Sequence, residues 1–156
     1  MNLKELYQDI ILEHGKNPRN FGKCSGHNHE AKGHNPLCGD QVKVYLKLNQ
    51  DKKVDEVSFE GSGCAISMAS TSIMTELVKG KSFENAKKIV DEFLNMIKSG
   101  KEMKTNILSE DQITKIMSLS GVKQYPMRVK CATLSWHTLI SAMDGKKKEV
   151  NTEVTD

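Results

Sequence analysis

The chemistry open to this chain starts from its four cysteines, Cys24, Cys38, Cys64 and Cys131. They stand 14, 26 and 67 residues apart with no Cys-x-x-Cys pair, so local spacing supplies neither a zinc knuckle nor a thioredoxin-like redox pair. A free buried cysteine commonly serves as a small hydrophobe, which is the plain reading for any one of them. Local context changes that reading for three. Cys38 lies in the turn segment Asn35-Pro36-Leu37-Cys38-Gly39-Asp40, and Cys64 follows Gly61-Ser62-Gly63 where the chain enters a helix. Cys131 falls in the first turn or so of a last helix, beside Arg128 and Lys130. Helix N-termini and neighbouring cations lower thiol pKa values. The resulting thiolates bind soft metals or accept sulfur.

The elements that must position them follow from periodicity. Leu3, Leu6, Tyr7, Ile10, Ile11 and His14 recur at helical spacing, with Gly15 as a stop. Residues 15–37 read as a long glycine- and proline-punctuated loop with room for a short edge strand. From Gln41 to Asn49, Val42, Val44, Leu46 and Leu48 alternate with Lys43, Tyr45 and Lys47, a half-buried strand. Val54 to Glu60 gives a second strand, joined by the turn Asn49-Gln50-Asp51-Lys52, so the two form an antiparallel hairpin. Cys38 precedes the first strand and Cys64 follows the second, which places both at one end of the sheet. Asp40 reaches the same end. If the last helix brings its N-terminus there, three sulfurs and one carboxylate converge. That set suits tetrahedral zinc, or an iron site in which the carboxylate is the easily released ligand.

Helices are expected over Ala65–Lys79 and, capped by Ser82 and stopped by Gly100, over the following segment. Ser109 with Gln112 forms a capping-box pattern for a short helix within the otherwise weakly patterned 101–126. After Pro126 comes the last helix, with Ala132, Trp136, Leu139, Ile140 and Met143 inward. The expected fold is α+β: a small antiparallel sheet of about three strands packed against four to six helices. Residues 1–144 are expected to form one domain and 145–156 a solvated, mobile tail in which Lys146–Lys148 serve solubility.

The chain of 156 residues is 37% hydrophobic and 28% charged. A domain of this size buries roughly 68–70% of its unfolded surface, so it has no need of disulfides. A charge sum of 23 minus 20, or +3, falls short of a nucleic-acid footprint, and 5% aromatics cannot furnish a base-stacking platform. No apolar run is long enough to span a membrane, and the start lacks an apolar signal core. The expected setting is the cytoplasm, where thiols stay reduced.

In order along the chain, Asn17-Pro18-Arg19-Asn20, the Asn35–Asp40 segment, Gly61-Ser62-Gly63-Cys64-Ala65-Ile66-Ser67 and Arg128-Val129-Lys130-Cys131-Ala132 resemble the NifU/IscU/SufU family of iron–sulfur assembly proteins. Ser70, Met74 and 76–80 continue the likeness, which covers residues 1 to about 143. The IscU branch carries a His just before the third cysteine, whereas this chain has Lys130; the Cys64–Cys131 interval is also longer. Both departures resemble the SufU branch. The resemblance implies zinc on Cys38, Asp40, Cys64 and Cys131, with Cys38 accepting persulfide sulfur from a cysteine desulfurase of the SufS type. In the family the desulfurase lends a His to zinc on docking and frees the acceptor. Arg128 and Lys130 could stabilise the developing negative sulfur, or simply be exposed helix-terminal cations. The alternative is a scaffold that assembles a [2Fe–2S] cluster on Cys38, Cys64 and Cys131 and hands it to downstream assembly proteins. A domain with purely structural zinc is a third reading.

The remaining candidates carry plainer readings. Cys24 matches no ligand position and reads as an incidental loop cysteine. His27, His29 and His34 crowd the same loop and read as solvated, although such a cluster could bind metal. His14 and His137 read as packed helix residues. A cysteine hydrolase built on Cys131 and His137 fails, because six residues along a helix put them on nearly opposite faces. Gly61-Ser62-Gly63 lacks the spacing of a dinucleotide loop.

Overall fold

The computed structural model describes residues 3–145 and 149–152. Helix α1 (Leu3–Lys16) leads through a loop to β1 (His29–Asn35), β2 (Asp40–Leu48) and β3 (Val54–Ser62). Helices α2 (Ala65–Val78), α3 (Phe83–Ser99), α4 (Glu110–Ser118) and α5 (Val129–Met143) follow, and β4 (Val150–Asn151) comes last. Two 3₁₀ turns, Leu119–Gln124 and Pro126–Arg128, join α4 to α5. The expected caps are present: Ser82 accepts from the Asn85 N–H, and Ser109 and Gln112 form the reciprocal capping box.

The sheet runs β3-β2-β1-β4. Strands β2 and β3 are antiparallel with Gln41 opposite Ser62, and β1 and β2 are antiparallel with Asn35 opposite Asp40. The segment read as loop therefore holds the edge strand β1. Its inward residues, Ala31, Gly33 and Asn35, are small or polar, so no apolar alternation announces it. Gly33 is there for contact: a Cβ at that position would stand 2.1 Å from Thr138 Oγ1. Its absence lets α5 lie directly on β1.

The inner sheet face, with Val42, Val44, Leu46 and Val57, shares one core with α2, α3 and α5. Trp136 of α5 stacks on Phe93 of α3 with centroids 4.0 Å apart. Its Nε1–H donates to Ser70 Oγ at 2.9 Å, and Ser70 in turn donates to the Ala132 carbonyl at 2.6 Å. These bonds fix α5 against α2, and hence Cys131 against Cys64.

The expectation of a free tail fails for 149–152. Val150 and Asn151 pair in parallel with Gly33 and His34, and Thr152 is buried. Edge strand β1 offers unpaired backbone groups, and a short following strand satisfies some of them. Lys146–Lys148 and 153–156 lie outside the described residues. No helix among the described residues is long and apolar enough to cross a membrane.

Candidate metal centre

The β1–β2 turn, the end of β3 and the start of α5 meet at one end of the sheet. The ligand atoms of Cys38, Asp40 and Cys131 lie within 4.8 Å of one another. Cys38 is partly exposed at the turn, while Asp40 and Cys131 are buried. Cys64 is the N-cap of α2, and its sulfur accepts the Ser67 N–H at 3.4 Å. That rotamer leaves it outside the group of three, although its own N–H donates to Asp40 Oδ1 at 2.9 Å. The four expected ligands thus share one neighbourhood, with Cys64 turned toward its helix.

Gly63 makes the approach of β3 to Asp40 possible. Its φ is +151°, and a Cβ would fall 2.4 Å from Asp40 Oδ1. Asp40 is fully buried and receives neutral donors, the Cys64 N–H and Asn35 Nδ2–H, the latter at 3.1 Å on Oδ2. Among the described residues it has no cationic side-chain partner. A buried carboxylate so placed lacks the positive charge that usually accompanies it. Thiolates with a carboxylate are a zinc donor set, and a cation would balance the buried charge. The residues fit the ion.

The thiols are electrostatically unequal. Donation from the Cys131 thiol, aided by the Ser67 and Ile66 N–H groups, brings Cys64 down to about 6 against burial and the Asp40 charge. The same hydrogen bond, with burial and the neighbouring Cys38 and Asp40, holds the proton on Cys131 far above the ordinary thiol range.

Arg128 and Lys130 separate. Arg128 Nη1 stands 3.7 Å from Cys38 Sγ, and the sulfurs hold its guanidinium more firmly charged, Cys131 foremost. Lys130 does not reach the sulfurs: its Nζ donates to the Thr152 carbonyl at 2.8 Å. Two residues at the start of a helix diverge by about 200°, which sends them to different surroundings. Lys130 is therefore corrected from sulfur support to a backbone clamp.

Cys24 is buried in its loop, away from the group of three. His27 packs edge-on to Tyr45 and contacts the Cys24 carbonyl at 3.2 Å, while His29 bonds Asn28. His14 is packed as expected, 2.8 Å from Ser72 Oγ. Sequence alone does not mark Asn35 and Gly63 as site residues. Both stand inside the cysteine-bearing segments, but their parts depend on β1 lying beside β2 and β3 ending against Asp40.

A family model described as the NifU-like N terminal domain matches residues 6–132. The chain belongs to that family. A zinc-dependent sulfurtransferase SufU of Bacillus subtilis is 44% identical over 138 residues, 88% of this chain and 89% of that protein. An iron–sulfur cluster assembly scaffold protein IscU of Streptococcus pyogenes is 36% identical over 141 residues, 90% of this chain and 84% of that protein. A crystal structure from Fervidobacterium islandicum, described as an iron–sulfur cluster assembly scaffold for the SUF system, superposes with a TM-score of 0.77 at 38% identity. That match covers 89% of this chain and 97% of the other. This NifU-like domain therefore shares the α+β architecture, with its antiparallel sheet extended to four strands by β4.

Proposed function

We propose that this NifU-like chain is a zinc-dependent sulfur acceptor of iron–sulfur cluster assembly, taking persulfide sulfur from a SufS-type cysteine desulfurase in the cytoplasm. The observation that carries the reading is the gathering of Cys38, Asp40 and Cys131 around a partly exposed Cys38, with Cys64 beside them. The likeness to the Bacillus sulfurtransferase supports it. Cys38, Asp40, Cys64 and Cys131 would hold zinc, which keeps bound thiols deprotonated yet guarded.

Cys38 is the acceptor because it stands at the turn, where a partner can reach it. Its thiolate attacks the outer sulfur of the desulfurase persulfide; that sulfur–sulfur bond breaks and the electron pair leaves on the desulfurase cysteine. A new sulfur–sulfur bond then holds the transferred sulfur on Cys38. Arg128, 3.7 Å from this sulfur, stabilises negative charge on it.

The rim suits a docking partner. Leu37 and Met127, neighbours of Cys38 and Arg128, are 55% and 64% exposed. Beside them Tyr7, Ile11, Leu12, Ile66, Tyr125 and Arg128 line an open groove of about 450 Å³. Exposed apolar residues beside reactive groups are typical of recognition surfaces.

The scaffold reading retains one specific support, the Streptococcus relative over 90% of this chain. In it a [2Fe–2S] cluster is the product built on Cys38, Cys64 and Cys131 and passed to downstream assembly proteins. Metal content and desulfurase stimulation separate the two. A colourless protein with one zinc per chain, whose stimulation of desulfurase turnover disappears with the zinc, supports sulfur acceptance. A brown protein that reconstitutes a stable, transferable cluster overturns it in favour of the scaffold. A chain that unfolds on zinc removal and never accepts sulfur is a structural zinc domain.

A further inference from the structure

Asn35 is fully buried at the end of β1, and its side-chain amide is fixed in one sense. Nδ2 lies 3.1 Å from Asp40 Oδ2 and 3.5 Å from Cys131 Sγ, while Oδ1 accepts Thr152 Oγ1–H at 3.0 Å. Turning the amide over would set its carbonyl against a buried carboxylate and its NH₂ against a hydroxyl. The Asp40 carboxylate, which only accepts, therefore decides which way Asn35 points, and the Thr152 hydroxyl holds the amide there by donating to Oδ1.

Thr152 itself is held on three sides. It is 2% exposed, its N–H donates to the His34 carbonyl at 3.1 Å, and its carbonyl accepts Lys130 Nζ at 2.8 Å. Lys130 immediately precedes Cys131, so the helix bearing one sulfur also pins the strand that orients the amide beside that sulfur. The region matched by the family model ends at residue 132, before this strand.

We infer that the C-terminal strand is a latch that sets Asp40 and Cys131 for metal through Asn35, with Thr152 as a positioning residue. The inference rests on reading Asp40 and Cys131 as ligands. Groups that orient ligands typically change metal affinity by about 10–100-fold when removed. Thr152 acts one bond further out, so the lower end of that range applies.

The test compares full-length wild type, Thr152→Val, which removes the hydroxyl at nearly constant shape, and Thr152→Ser, which keeps it. Zinc affinity is read by competition with a chromophoric chelator. Hydrogen exchange of the Asn35 side-chain amide is read by NMR on metal-free protein. Expected are about tenfold weaker zinc binding and faster Asn35 exchange in Thr152→Val, with both values restored in Thr152→Ser. Unchanged zinc affinity in Thr152→Val, or an equal loss in Thr152→Ser, overturns the latch. A wild-type chain that takes up no zinc overturns the ligand reading instead. In that event unchanged Asn35 exchange in Thr152→Val overturns the latch as well, while faster exchange upholds the hold of Thr152 on Asn35.

Discussion

Beside the middle of α2, buried His14 and Ser72 join half-buried Arg19 and Glu76 in one polar cluster; at its N-terminal end buried Asp40 and Cys131 join half-buried Cys38 and Cys64 in another. In the first, Ser72 Oγ accepts the Arg19 N–H at 2.7 Å and meets His14 Nδ1 at 2.8 Å. His14 Nε2 faces Glu76 at 3.7 Å, and Glu76 takes Lys115 at 2.9 Å. Every charge there has a counterpart within the chain. In the second, a fully buried carboxylate has only neutral donors and the reactive sulfur opens to solvent. Burial of polar groups alone thus does not mark a functional site. Burial with donor capacity left over, beside one accessible atom, does.

The largest predicted effect breaks the closed cluster. Burial foremost, then Lys115 and Arg19, push His14 down to about 4 from the ordinary 6.5. The unfolded chain takes up this proton near pH 6.5 and the folded chain only near pH 4. Stability from the neutral His14 is therefore present above pH 6.5 and lost as pH falls through that window, by on the order of 3 kcal/mol. Denaturant midpoints measured across the window should show this slope in wild type, and His14→Gln should flatten it without changing zinc binding.

Next in size, Gly63→Ala breaks the open cluster. The added methyl displaces the Asp40 carboxylate and strains a backbone at φ +151°. Zinc affinity by chelator competition should fall about 100-fold, with a stability cost of about 1–3 kcal/mol. Arg128→Leu is a smaller change, since this exposed cation approaches the sulfurs from the solvent side and supplies no ligand atom. Sulfur transfer should slow a fewfold at low salt, and added salt should narrow the gap. Smallest for the metal site is Cys24→Ser, where zinc stoichiometry should stay unchanged although the buried hydroxyl costs about 1–3 kcal/mol of stability.

The open cluster was the more legible of the two. The register of β2 and β3 follows from alternation of Val42, Val44 and Leu46 against Val57 and Phe59, and it carries Cys38, Asp40 and Cys64 to one end. Trp136 and Ser70 then bring Cys131 there through packing that the apolar stripe of α5 foreshadows. Strand β1 is legible only as room for a short edge strand within 15–37, because Ala31, Gly33 and Asn35 face inward without an apolar signal. Strand β4 is too short for any period to register. The partner that Lys130 finds depends on Thr152 standing where it does, and the need for glycine at 63 depends on Asp40. Chemistry-bearing residue types can be read along the chain; the small residues that admit them to one place become visible only in three dimensions.

Everything proposed for this site turns on sulfur landing on Cys38. Wild type and Cys38→Ser, each incubated with a cysteine desulfurase and cysteine, would be compared by intact-mass and peptide mass spectrometry, with circular dichroism reporting the fold. One added sulfur is expected on Cys38 in wild type and none on a folded Cys38→Ser. Sulfur carried by Cys38→Ser, or found in wild type on Cys64 or Cys131 in place of Cys38, would contradict it.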